Sequence, residues 1–189
     1  MTALFLGIDV GTSGVRACAI DGDERVVGTA SVPLPAPRQD GPAIDQEPGY
    51  WWRATGDAIQ ELGRSADLKD VWRIAVDGTS GTLLLTDAAG RPCSLGLMYN
   101  DARATGEAAR IKAVAPAESG AHGPSAALAK LLYLLGTSIR AQAHHALHQA
   151  DWIAGRLANR FGTSDENNAL KLGYDPVTVS YTHLTLPTN

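Results

Sequence analysis

Leu4-Phe5-Leu6-Gly7-Ile8-Asp9-Val10-Gly11-Thr12-Ser13-Gly14 is the stretch on which the fold turns. A short apolar run meets one acidic residue, then two glycines and two hydroxyls, and a second apolar run follows from Val15 to Ile20. Apolar run, Gly-rich turn, apolar run is a β-hairpin pattern. Gly11 and Gly14 allow close approach of a ligand to the backbone or a positive φ. Thr12 and Ser13 place hydroxyl donors beside backbone N–H groups, which makes a concave anion site. Asp9 at the strand end is placed to hold a divalent cation, directly or through water. Together these residues suit a phosphate–Mg²⁺ site. A tight turn whose Asp bonds its own backbone has the same composition, so this stretch alone leaves both readings open.

Outward from the hairpin, residues 3–9, 14–20 and 25–32 read as three antiparallel strands, with Asp21-Gly22-Asp23 as the second turn. Pro33, Pro35, Pro37 and Pro42 predict an extended loop. Pro48 then opens a helix, with Asp45 or Glu47 near its start. Trp51, Thr55, Ala58, Ile59 and Leu62 fall on one face of it, and the Trp51-Trp52 pair reads as packing against the sheet. Val71 to Val76 predicts a fourth strand that ends in Asp77-Gly78-Thr79-Ser80-Gly81, and a fifth runs from Thr82 to Thr86. The second Asp-Gly-Thr-Ser-Gly turn echoes the first. Two such turns are able to line one cleft, or merely to share turn residues.

Asn100 and Asp101 precede an Ala-rich helix expected over about 102–114, where either can act as N-cap. The same residues with Arg103 also suit the holding of polyol hydroxyls. Pro124 predicts a further helix, with Leu128, Leu131, Leu132 and Leu135 on one face and Gly136 as its C-cap. His144 and His148 have the i, i+4 spacing of a metal pair, but no third ligand lies near them in sequence, and they read as surface histidines. Asp151 is expected to cap a short helix ending near Arg160. Residues 162–168 read as a polar loop, either of the kind that carries ligand contacts or a plain solvated one.

The chain has 189 residues, 44% of them hydrophobic, and a net charge of −4, enough for a core and against a nucleic-acid footprint. Cys18 and Cys93 lack metal-ligand spacing and read as buried thiols of a reducing compartment. No signal-like or membrane-spanning run is visible, so the expected location is cytoplasmic, with no membrane partner.

Asp9-Val10-Gly11-Thr12-Ser13-Gly14-Val15-Arg16 resembles the first phosphate motif of the sugar kinase/actin/Hsp70 superfamily. The turn at 77–81, the Tyr99-Asn100-Asp101-Ala102-Arg103 block and the Trp51-Trp52 helix, in this order, resemble the N-terminal domain of the FGGY carbohydrate kinases. Residues 163–175 are most similar to the D-ribulose kinase/xylulokinase-like branch. The resemblance covers residues 3 to about 176, so residues 1–176 are expected to be a partial N-terminal, sugar-binding domain. It implies a ribonuclease-H-like (actin-like ATPase) α/β fold, with a five-stranded mixed sheet and flanking helices. It also implies ATP and Mg²⁺ as cofactors and a small-molecule sugar as partner. By that likeness Asp9 positions the metal or its water, and Gly11, Thr12 and Ser13 approach the terminal phosphates. Thr79, Ser80, Gly81, Asn100, Asp101, Arg103 and Asp165 face the sugar.

Three departures accompany the resemblance. The family's general base, an Asp in a Gly-Gly-Asp-type turn, and its second, adenosine-binding domain find no counterpart in this sequence. This chain alone is therefore expected to be inactive. Asp-Gly-Thr-Ser-Gly stands where xylulokinases carry a Gln-Met-His-Gly type of turn, which favours a ribulose-like or unassigned substrate. A non-catalytic actin-like or Hsp70-like nucleotide-binding domain is the alternative, and a stand-alone binding module a third reading. The 99–103 block and the 163–168 loop favour the kinase, because a polymer-forming or chaperone relative does not need them. A truncated domain is also expected to leave apolar faces uncovered. Residues 177–189, ending Ser180-Tyr181-Thr182-His183-Leu184-Thr185-Leu186-Pro187-Thr188-Asn189, resemble translated adapter read-through and are expected to be a non-native tail.

Overall fold

The computed structural model describes residues 3–175. The expected foreign tail, 177–189, lies outside the described residues. Three antiparallel strands open the chain: β1 (Leu4–Val10), β2 (Gly14–Ile20) and β3 (Val26–Pro33). The Pro-rich connector is not a plain loop. It holds a short hairpin of β4 (Arg38–Asp40) and β5 (Ala43–Gln46), in which the prolines flank the paired residues and so cost no ladder hydrogen bond. Helix α1 (Pro48–Leu62) follows, with Glu47 at its N-cap position, as expected. Then come β6 (Val71–Gly78), β7 (Leu83–Thr86), β8 (Gly96–Leu97), α2 (Thr105–Lys112) and α3 (Ala127–Leu135). β9 (His145–His148), α4 (Gln149–Ala158) and α5 (Glu166–Lys171) complete the described chain.

The strands form two sheets. The first is mixed, in the order β3-β2-β1-β6, with β6 parallel to β1. The second is antiparallel, in the order β4-β5-β8-β7-β9. Among the described residues the mixed sheet therefore has four strands where five were expected. The run from Thr82, expected as a fifth strand, forms β7 inside the second sheet. Its four residues are all buried and pair with β9 and β8, which satisfies their backbone away from β6.

Helix α1 covers one face of the mixed sheet. Trp51, Ala58 and Leu62 are fully buried there, and Trp51 meets Trp152 of α4 edge-on at 6.2 Å. Gly96 is required by this core, since a Cβ there would lie 2.0 Å from the Trp51 ring. Small residues Ala17, Ala19, Ala30 and Ala54 let strands and helix approach closely. A second cluster joins α2 to α3 through Ala108, Ile111, Leu128 and Ala129. A third packs Leu134 on Leu85 and Leu97 of the second sheet.

Helix α2 begins at Thr105, not near Ala102, because the Asp101 carboxylate is spent on other donors and Ala104 takes the N-cap position. Helix α4 begins at Gln149, so Asp151 sits inside its first turn and accepts from the backbone N–H of His148. His145 to His148 form a strand, so the i, i+4 pair does not share a helix face. His144 is exposed as expected, whereas His148 is 1% exposed, a correction to its surface reading. Among the described residues no group of three His, Cys, Asp or Glu is placed to hold a metal ion. Cys18 and Cys93 are half-buried and free. No described helix is long and apolar enough to cross a membrane.

Candidate functional site

The parallel pairing of β1 with β6 places Asp9 beside Asp77 and Val10 beside Gly78. Both Asp-bearing turns leave the same end of the mixed sheet, side by side. Their resemblance in composition is thus matched by adjacency in space. A shallow groove on the sheet face runs past Gly7, Asp9, Arg16, Cys18, Ala75 and Asp77.

In the first turn the Gly11 N–H donates to the Gly14 carbonyl (3.0 Å), and the Leu34 N–H donates to that of Ser13 (2.9 Å). The glycines are needed for proximity, not for a positive φ. A Cβ on Gly14 would stand 2.8 Å from the Val32 carbonyl oxygen, and one on Gly11 would stand 3.2 Å from that of Gly14. Thr12 is half-buried and Ser13 exposed. The Asp9 carboxylate accepts from Arg16 Nη1 at 2.9 Å, and its side chain keeps 47% of its exposure. A half-open carboxylate beside a tight Gly-Gly backbone cradle suits a hydrated divalent cation and phosphate oxygens.

In the second turn the Asp77 carboxylate accepts from the Gly78 N–H at 2.8 Å. The Thr82 N–H closes the turn on the Thr79 carbonyl. Gly81 has φ +87°, a left-handed conformation that a glycine reaches without strain. Ser80 is exposed, Thr79 half-buried and Gly81 buried. Behind this turn, Ala150 at the start of α4 packs on Gly78.

The Tyr99–Arg103 block lies on the second sheet. Tyr99 and Asn100 are exposed, and Asp101 is fully buried. Asp101 accepts from the Ile44 backbone N–H (2.6 Å) and from Arg103 Nε (2.9 Å). Arg103 also reaches Asp45 Oδ2 through Nη2 (2.6 Å), and Arg38 holds Asp45 in a two-pronged pair (2.8 and 2.7 Å). The hydrogen bond from Arg38 holds the Asp45 carboxyl below the usual range; burial opposes this and Arg103 adds to it. Burial works against the Arg103 charge, but its bonds to Asp101 and Asp45 outweigh that and raise its pKa. Asp101 and Arg103 are thus tied into a four-residue ion network that pins the block to the β4–β5 hairpin.

Asp165 caps α5, accepting from the backbone and side-chain N–H groups of Asn168 (3.0 and 2.8 Å). Its neighbour Ser164 donates to Asp151 of α4 at 2.7 Å. The loop is thereby anchored to the helix that backs the second turn.

One contributor escaped the sequence reading. Lys130 of α3 is fully buried and donates to the carbonyls of Met98 (2.6 Å), Gly81 (2.8 Å) and Tyr99 (3.2 Å). It joins the second turn to the Tyr99–Arg103 block. In the sequence it stands in a Leu-rich helix as an ordinary solvated lysine, and no local signal marks it.

Known proteins resemble this chain in sequence and fold. The family model for the N-terminal domain of the FGGY family of carbohydrate kinases matches residues 4–178. The xylulose kinase of Escherichia coli (strain K12) is 31% identical over 113 residues, which is 60% of this chain and 23% of that protein. The glycerol kinase of Methylobacterium nodulans is 33% identical over 177 residues, 87% of this chain and 33% of that protein. The crystal structure of xylulose kinase from Rhodospirillum rubrum superposes with a TM-score of 0.82 at 22% identity, covering 95% of this chain and 39% of that one. The chain thus spans between about a quarter and two-fifths of the length of these proteins. The fold is that of the ribonuclease-H-like, actin-like ATPase domains, in part. With the family's N-terminal pattern matched along nearly all of its described length, this chain belongs to the FGGY family of carbohydrate kinases.

Proposed function

We propose that this chain is the sugar-binding, N-terminal portion of an ATP-dependent kinase that phosphorylates a hydroxyl of a ketopentose or related polyol. The observation that carries the reading is the pairing of the two Asp-bearing turns on neighbouring parallel strands, with the Tyr99–Arg103 block clipped to the second of them. One end of the sheet thereby presents a phosphate side, Asp9 to Ser13, and a hydroxyl-binding side, Thr79 to Gly81 with Asn100.

Each residue has a role in this reading. Asp9 would hold Mg²⁺ or its water, and the ion would supply charge neutralisation at the phosphates. Thr12 and Ser13 offer backbone N–H and hydroxyl donors to phosphate oxygens, and Gly11, whose N–H is held by the Gly14 carbonyl, leaves room for the phosphate to approach. The polar edge of the sugar meets Thr79, Ser80, Gly81 and the exposed Asn100. Arg103 and Asp101 hold that edge in place from behind, and Asp165 lies on the loop anchored to α4. Transfer to a sugar hydroxyl forms the phosphorus–oxygen bond as the bond to ADP breaks, with the hydroxyl proton going to a base. This sequence contains no Gly-Gly-Asp turn to provide one, so the chain binds sugar without turning it over. Losing a general base typically costs ~10²–10⁴-fold.

Calorimetric titration with D-ribulose, D-xylulose and glycerol tests the binding claim. Saturable binding of a ketopentose is expected, and failure of all three to bind removes the reading. A coupled ADP-release assay with the same sugars and Mg²⁺–ATP tests the second claim. No sugar-dependent rate is expected, and any rate above background overturns inactivity.

A further inference from the structure

We infer that Lys130 is a positioning residue that sets the sugar-binding geometry by clipping the Gly81 turn to the Met98–Tyr99 segment. The inference rests on the proposed sugar site. An ammonium has three N–H donors, and here each meets a backbone carbonyl: Gly81 on one side of the site, Met98 and Tyr99 on the other. Burying a lysine completely is costly unless every donor is satisfied, and packing alone calls for a leucine at this helix position. The three carbonyls come from two segments separate in sequence, Gly81 and the adjoining Met98 and Tyr99. Two of them flank the residues expected to touch sugar, Ser80 and Asn100. Turning the same carbonyls inward leaves the Ser80 and Asn100 side chains exposed.

The charged neighbours of the ammonium are Asp101 and Arg103, the latter neutralised by Asp45. Burial pushes the Lys130 pKa down to about 8; Asp101 pulls it up and Arg103 pushes it further down. Above that pH the neutral amine keeps two donors and turns a lone pair toward the third carbonyl. Tyr99, with the longest of the three bonds, is the one released.

Two kinds of measurement decide the matter. In Lys130→Met, affinity for the sugar that the wild-type chain binds best among D-ribulose, D-xylulose and glycerol should fall tenfold or more. Hydrogen exchange at 79–82 and 98–101 should quicken tenfold or more, while the β1 and β2 amides keep their protection. An affinity within twofold of wild type, or loosening spread evenly over both sheets and α3, overturns the inference.

If Lys130→Met does not fold, the wild-type chain answers by its pH profile. Because the folded pKa lies below the unfolded value, the unfolded chain holds more protons between about pH 8 and the ordinary lysine range. This group's contribution to stability therefore rises with pH there. A residue that served stability alone would leave sugar affinity flat, or carry it up only as far as the folded fraction rises. Positioning requires instead that affinity fall threefold or more across that window, with exchange at 79–82 and 98–101 quickening after correction for intrinsic rate. If no sugar binds even the wild type, the proposed function fails, and the exchange readings, which need no sugar, still decide whether Lys130 sets these two segments.

Discussion

Asp9 and Asp77 are direct neighbours across the parallel pairing of β1 and β6. The pair brings two carboxylates to one end of the sheet, but they are not equivalent. Asp77 is engaged by its own turn through Gly78 N–H, whereas Asp9 is met by Arg16, whose side chain is 61% exposed. An exposed ion pair of this kind contributes ~0–1 kcal/mol and yields easily to a stronger partner. The carboxylate free to exchange its partner for a cation is therefore Asp9. Asp9→Asn should weaken Mn²⁺ binding to the chain, read by electron paramagnetic resonance in the presence of ATP, by tenfold or more. Asp77→Asn should weaken it by less than threefold. Equal losses would show that the two carboxylates act as one site.

The first turn depends on missing side chains. Gly14→Ala puts a Cβ against the Val32 carbonyl, and backbone on both sides leaves no flexible group to move aside. Overpacking of this sort costs about 1–3 kcal/mol, to be read as a lowered denaturation midpoint. Gly81→Ala meets open space instead, and its cost is the left-handed φ, about 1–2 kcal/mol. Sugar affinity should fall in Gly81→Ala more than in Gly14→Ala, since Gly81 lies in the sugar-side turn.

Much of this arrangement was legible in the sequence. The two turns announce themselves through Asp, Gly, Thr and Ser packed into short spans, and α1 through the spacing of Trp51, Thr55, Ala58 and Leu62. Local chemistry writes such features, so local reading finds them. The parallel pairing of β1 with β6 is a tertiary fact, and nothing in either strand encodes the partner. The same holds for β7, whose apolar run fits either sheet and is assigned by β9, far along the chain. The β4–β5 hairpin was hidden by the prolines around it. Asp101 looked like a helix cap because Asp before an Ala-rich run usually is one; the distant Ile44 N–H and Asp45–Arg103 pair draw it elsewhere. Lys130 shows the limit most clearly, since its three acceptors are carbonyls, which carry no residue identity at all.

The ion network predicts an acid-sensitive hairpin. Asp45 has its pKa lowered in the folded state by Arg38, and by Arg103 as well, against the cost of burial. A carboxylate with a depressed folded pKa stabilises the fold above its unfolded value, near 3.8, and that stability is lost as pH falls through the folded value. The denaturation midpoint should thus decline below about pH 4. Asp45→Asn should flatten that decline. Asp45→Ala strips Arg103 of one of its two carboxylates but leaves it Asp101, so the loss at neutral pH should stay below the roughly 3–5 kcal/mol of a buried charge left unpaired. An acid profile in Asp45→Asn that overlays the wild type would place the acid sensitivity elsewhere.

Strand β6 supplies the last prediction. It is the edge of the mixed sheet among the described residues, and it shows Trp72 at 64% and Ile74 at 48% exposure, with Phe5 beside Trp72. An edge strand with uncovered apolar side chains is a template for pairing between copies. Arg73 is stacked over the Trp72 ring and leaves it only partly shielded. Association should therefore limit the concentration at which the chain stays monomeric. A Trp72→Lys, Ile74→Thr double variant places a charge and a hydroxyl on that edge while leaving the α1-facing core residues Leu6 and Ile8 untouched. Light scattering at matched concentrations should show the variant monomeric where the wild type self-associates, with a thermal midpoint within a few degrees of the wild type. Self-association that persists unchanged in the double variant would move the sticky surface away from β6.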